Sequence, residues 1–141
     1  MALARNIAAI LIGLIVGSFV NLGLVTVGPT IIPPPVGVDV LDMFSIRENL
    51  NLFEAKHFVF PFLAHSLGTL VGAGVAYAIA ANKRMLMAMI IGIAFFCGGV
   101  YASTVIPAPT WFIVLDLVFA YIPAAWLGAK LTSAAFVRGT S

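Results

Sequence analysis

Four long apolar runs separated by short polar breaks dominate this chain, and their lengths decide the fold class before any single residue does. They cover about 7–27, 58–81, 85–106 and 111–132. Each has about 20 residues or more, enough at 1.5 Å of helical rise per residue for the ~30 Å hydrocarbon layer of a bilayer. Lipid offers no partner to a free backbone amide, so each run must be a continuous helix. The pattern predicts an all-α integral membrane bundle of four transmembrane helices in a single domain. The first run follows Arg5 in the manner of a signal peptide. It exceeds the roughly 7–15 apolar residues of such a leader, however, and reads as a retained helix.

Within each run the residues separate into two faces at helical periodicity. The second run gathers His57, Pro61, His65, Gly68, Gly72 and Ala76 on one side and Phe60, Leu63, Leu67, Leu70 and Val71 on the other. The fourth sets Asp116, Ala120 and Pro123 against Trp111, Leu115, Val118, Ile122 and Trp126. Gly13, Gly17 and Asn21 align in the first, and Ala88, Gly92, Gly99 and Ser103 in the third. Small residues let helices approach closely in lipid, so these stripes should face inward and the bulky ones outward. Gly13-x-x-x-Gly17 and Gly68-x-x-x-Gly72 fit the close-packing spacing, a pattern that also arises by chance. Pro123, midway along the fourth run, should kink its helix and free a carbonyl. Trp111 and Trp126 suit interfacial anchoring, and Lys130 should snorkel to the inner interface.

The segment 28–57 is the one long connection. Pro29 and Pro33-Pro34-Pro35 favour an extended path. Ser45-Ile46-Arg47-Glu48 then has the capping-box spacing, with Ile46, Leu50 and Phe53 at helical intervals. A short amphipathic helix in this first extracytoplasmic loop is expected, as a cap on the bundle or as a lid or docking surface.

Composition sharpens the picture. Of 141 residues, 62% are hydrophobic and only 9% are charged, against roughly 25% charged in soluble domains. The mean hydropathy is +1.16. No basic run or aromatic-basic groove exists, so nucleic acid is not an expected partner. The expected partners are membrane lipids, with a homo-oligomer or larger membrane complex as a further possibility. The one cysteine, Cys97, lies beside Gly98 in an apolar run and is expected to pack as a small residue.

Charge sets the orientation. Arg5, Lys83, Arg84, Lys130 and Arg138 flank the runs without acidic company, whereas 28–57 mixes Arg47 and Lys56 with Asp39, Asp42, Glu48 and Glu54. The positive-inside rule therefore puts both termini in the cytoplasm.

Candidate chemistry follows from depth. Asn21 lies six residues from the outer end of the first run, His65 seven into the second and Asp116 five into the fourth. At 1.5 Å per residue they sit about 7–11 Å below the outer boundary. Tyr101, Ser103 and Gly99 reach a similar level. Asp116 is the sole acidic residue in any run, and an unpaired carboxylate there costs several kcal/mol, so it needs a partner, a proton or water. His65 and Asn21 are the expected partners. The pairing could set the register of the bundle, or it could form a proton-handling or small-ligand site lined by Asn21, His65, Asp116 and Tyr101. A membrane enzyme with His65 as base, oriented by Asp116, is a further reading, though Ser66 points about 100° away from His65 and no nucleophile is placed. A scaffold or accessory subunit is a third. Glu54 and His57 form an outer rim with Lys56. His57 and His65 stand two turns apart, too far along the helix to share a metal ion easily, and no cofactor is expected.

Lys56-His57-Phe58, Pro61-Phe62-Leu63-Ala64-His65, Gly68-Thr69-Leu70-Val71-Gly72-Ala73, Ile106-Pro107-Ala108-Pro109-Thr110-Trp111-Phe112 and Leu115-Asp116-Leu117 resemble segments of small four-helix bacterial inner-membrane proteins. That resemblance spans most of the chain and implies fold and location only, with no activity or site.

Overall fold

The computed structural model describes residues 1–138 and consists of helices and their connections. Four long helical segments are apolar enough to span a membrane, with a short helix between the first two. They are α1 (Ala2–Ile31), α3 (Val59–Ile79), α4 (Arg84–Val105) and a fourth built from α5 (Thr110–Phe119) and α6 (Ile122–Arg138). The short one is α2 (Met43–Glu48), and two 3-10 turns, Leu50–Leu52 and Ala55–Phe58, lead from it into α3. The chain is a multi-pass membrane protein.

Three boundaries differ from those the sequence suggests. α1 runs through Pro29 to Ile31, because its ring removes one helical hydrogen bond without ending the turn, and Ile32 N–H still reaches the Gly28 carbonyl at 2.8 Å. α2 is capped by the Asp42 carboxylate, which accepts from Phe44 N–H at 2.9 Å. Ser45 is therefore inside the helix, where its hydroxyl accepts from Asp39 N–H instead of forming the expected capping box. A reciprocal cap does occur further on. Glu54 and His57 exchange side-chain and backbone bonds at the start of the second 3-10 turn, the imidazole standing where glutamate usually does. The fourth span does more than kink at Pro123: it breaks at Ala120 and Tyr121. Proline has no N–H for the Phe119 carbonyl four residues back, so the helix stops and restarts.

α3 lies at the centre and packs against α1, α4 and α6. The two glycine pairs meet each other in antiparallel register. A Cβ on Gly13 would lie 2.7 Å from the Gly72 carbonyl oxygen, and one on Gly17 would lie 2.7 Å from that of Gly68. Only hydrogen at these positions permits such an approach, which maximises dispersion between backbones where no hydrophobic effect assists. On the other side of α3, Gly128 of α6 abuts the Leu70 backbone, and Gly92 of α4 makes room for Ala125.

The core consists mainly of alanine: Ala73, Ala76, Ala88, Ala125 and Ala129 with Ile91, edged by Tyr77 and Phe95. All of it lies in the half of the bundle that carries Ala2 and Arg138. There the end of α3 is tied to α1, with Arg5 Nε donating to the Ile79 carbonyl at 2.6 Å and Asn6 bonding both Ala81 N–H and the Asn82 side chain. Lys83 adopts a left-handed φ of 46° to turn the chain into α4. The outward faces are apolar, including Trp111, Val118 and Trp126 as expected. Cys97 also lies on an exposed face rather than packed inside.

Candidate functional site

In the half carrying the long loop, the helices part. α1 and α4 meet through Ile91 beside Gly13 and Phe95 beside Gly17. Beyond that level no small-residue seam holds them, and a cleft of about 640 Å³ opens between them. Leu22, Val25 and Pro29 form its α1 wall, and Gly99, Ala102 and Ser103 its α4 wall. Leu41, Met43, Ile46 and Phe53 of the loop cover it, while Phe58, Phe60 and Phe112 form the back. Its size falls within the roughly 300–1,000 Å³ of small-molecule sites, which are likewise mostly apolar with a few placed polar groups.

The polar side chains on its walls are Thr26, His57, His65, Ser103 and Asp116, and of these His65 and Asp116 bond each other. Both carboxylate oxygens of Asp116 lie 2.9 Å from His65 Nδ1. A third residue completes the set, because the Tyr121 hydroxyl donates to Asp116 Oδ2 at 2.8 Å. The Tyr121 and His65 rings stack with centroids 5.7 Å apart. Asp116 is only 5% exposed, so these bonds supply the donors that a buried carboxylate requires. The His65 backbone is itself engaged, its carbonyl accepting from the Thr69 hydroxyl at 2.7 Å.

Tyr121 joins the site only because the helix breaks. Residues i and i+5 of a continuous helix stand about 140° apart around the axis, too far for a side-chain bond. The interruption ahead of Pro123 brings the Tyr121 ring back over its own preceding turn. Gly99 of α4 accommodates the phenol, since a Cβ there would collide with its hydroxyl. The sequence signal for Tyr121 was Pro123 itself: an aromatic donor two residues before a helix-breaking proline is free to leave its helix face.

The other candidate residues are placed as follows. Asn21 is partly buried on α1 opposite Gly68, does not line the cleft, and bonds neither His65 nor Asp116. Tyr101 is 70% exposed and lies outside the cleft and the polar cluster. It shares a height with Gly99, but two residues correspond to about 200° of rotation, which turns it away. His57 lines the cleft near its loop end and accepts the Glu54 N–H at Nδ1 at 2.8 Å. Glu54 pairs with Lys56 at 2.9 Å on an exposed rim. That hydrogen bond and the ammonium charge hold the Glu54 carboxyl below its ordinary value of 4.5. Among the described residues, no group of three or more His, Cys, Asp or Glu side chains gathers as a metal site.

The arrangement has a definite chemical polarity. A carboxylate only accepts, so the proton between it and His65 resides on Nδ1, and Nε2 is left as the second ring nitrogen. A buried carboxylate in this position orients the ring. No family model, no curated protein and no solved structure matches the chain.

Proposed function

We propose that this protein binds a small apolar molecule in the cleft between α1 and α4, with the His65–Asp116–Tyr121 cluster engaging the polar end of that molecule. The observation that carries this reading is the position of the buried triad. His65 and Asp116 line a cleft whose walls are otherwise largely aliphatic and aromatic, and Tyr121 bonds Asp116. A pair needed only to set helix register could be sealed between helices, whereas His65 lines the cleft with its side chain 26% exposed.

The distribution of Arg5, Lys83, Arg84, Lys130 and Arg138 supports both termini on the cytoplasmic side of a bacterial inner membrane. In that orientation the cleft draws its ligand from the outer leaflet. The role is a carrier, a sensor, or a subunit presenting the ligand to a second copy or a larger assembly.

The same hydrogen bond favours a second reading, a membrane enzyme with His65 Nε2 as general base. On the cleft walls, however, the Ser103 hydroxyl donates to the Val100 carbonyl at 2.7 Å and the Thr26 hydroxyl to that of Leu22 at 2.8 Å. Neither hydroxyl is aligned with the imidazole, so a base-catalysed reaction would have to activate water or the ligand itself.

The test is mass spectrometry of small molecules extracted from the protein purified out of native membranes. Wild type should carry a stoichiometric apolar compound. Ala102→Trp, which fills the cleft, should lose it while keeping its helical circular dichroism. Equal recovery from both proteins would remove the cleft from consideration.

A further inference from the structure

The donors and acceptors around the cleft limit what its ligand can be. Asp116 is 5% exposed, with the His65 ring on both oxygens and Tyr121 on one, so little of it faces a ligand. The Ser103 hydroxyl is directed to its own helix. His65 Nε2 is thus the acceptor at the deep end, with a carboxylate behind it. No lysine or arginine is among the lining residues, and Lys56, next to the lining residue His57, is paired with Glu54. The other imidazole, His57, belongs to the 3-10 turn near the loop and is held by the Glu54 amide.

We infer that the cleft selects an uncharged amphiphile, an apolar body bearing a hydroxyl, whose O–H donates to His65 Nε2, and that it rejects carboxylate-headed amphiphiles. This rests on the cleft being a ligand site as proposed above. An anionic headgroup placed at His65 would face the Asp116 charge in an apolar surrounding without a compensating cation, a juxtaposition costly enough to exclude it. A methyl ether of the same body could fill the cleft but could not donate, leaving Nε2 unmatched.

The experiment uses the full chain in nanodiscs with Trp126→Phe, so that Trp111 remains as the reporter. The Trp111 ring packs edge-on against Phe58, a lining residue, at 5.4 Å. The probes are a mid-chain-brominated long-chain alcohol, its methyl ether and the matching fatty acid, titrated by bilayer mole fraction and read as bromine quenching. Quenching by the alcohol should saturate at a mole fraction about three- to tenfold below that needed for the ether, the range one net hydrogen bond supplies. The acid at pH 8 should be weaker than both. In His65→Phe the alcohol and ether should coincide. Should that variant fail to fold, the three-probe comparison on the His65 protein decides alone.

Saturable quenching with the acid equal to or tighter than the alcohol overturns the selectivity and leaves the cleft as a site. So does an alcohol no tighter than its ether. Linear, non-saturating quenching by all three removes the cleft as an amphiphile site, and the selectivity with it.

Discussion

Replacing Gly72 with alanine adds one methyl group to the glycine seam between α1 and α3. Its Cβ would stand 2.6 Å from the Gly13 carbonyl oxygen, 3.2 Å from Gly17 Cα and 3.3 Å from Ile91 Cγ2. The two nearest of these are backbone atoms, so no rotamer change relieves the overlap and α1 must move as a body. Overpacking of this kind costs about 1–3 kcal/mol. Alanine's helix-propensity advantage over glycine, about 0.5–1 kcal/mol, offsets part of that in water. It offsets less here, because a chain unfolded in detergent remains largely helical. The net expectation is a loss of about 1–2 kcal/mol. Gly98→Ala is the matched control, since a Cβ there has nothing within 4 Å, and it should be neutral to slightly stabilising. Reversible unfolding in mixed micelles, titrated with dodecyl sulfate and followed by tryptophan fluorescence, measures both. A Gly72→Ala protein as stable as wild type would show that the α1–α3 contact does not depend on backbone proximity.

Tyr121→Phe removes the donor to Asp116 Oδ2 without changing ring volume, and should cost about 1.5–3 kcal/mol, the range for hydrogen bonds to charged groups. The same titration measures it, and a loss below about 0.5 kcal/mol would mean that the carboxylate is satisfied without the phenol. The rim offers a pH test with a defined sign. Because Lys56 lowers the Glu54 pKa from its ordinary 4.5, the carboxylate's bond to the His57 amide should hold above pH 4.5 and weaken as pH falls through the lowered value. Hydrogen exchange of the Ala55–Phe58 amides should speed up over that window in wild type and stay flat in Glu54→Gln; parallel profiles would detach the cap from the carboxylate.

How much of this was legible in the sequence depends on whether a feature is local. The four spans were readable because continuous apolar length is a property of a segment by itself. The glycine pairs were visible as spacing, but each motif cannot name its partner, and that the two face one another in antiparallel register is a tertiary fact. His65 and Asp116 were matched by counting rise per residue along helices of known direction, which fixes height well. Azimuth was the weaker coordinate: Tyr101 shares the height of the cluster yet points away, and Asn21 faces α3 beside Gly68 rather than the cleft. Tyr121 was missed because periodicity assumes an unbroken helix. At the loop, Asp42 and Ser45 both have the chemistry of a cap, and only the path of the preceding turn, which brings Asp39 N–H to Ser45, decides between them.

The ties of Arg5 and Asn6 to the end of α3, with the glycine seam above them, give α1 the mechanics of a lever with its fulcrum near Gly17. The outer arm from Gly17 to Ile31, which still packs on α3 at Asn21 and Gly28, is about 21 Å long at 1.5 Å per residue, so a tilt of about 5° displaces its tip by about 2 Å. Widening the gap between Pro29 and Ile106 therefore requires no unfolding and no rupture of the alanine core. The entrance can breathe while the opposite end stays shut, which makes passage through the bundle far harder than entry into it.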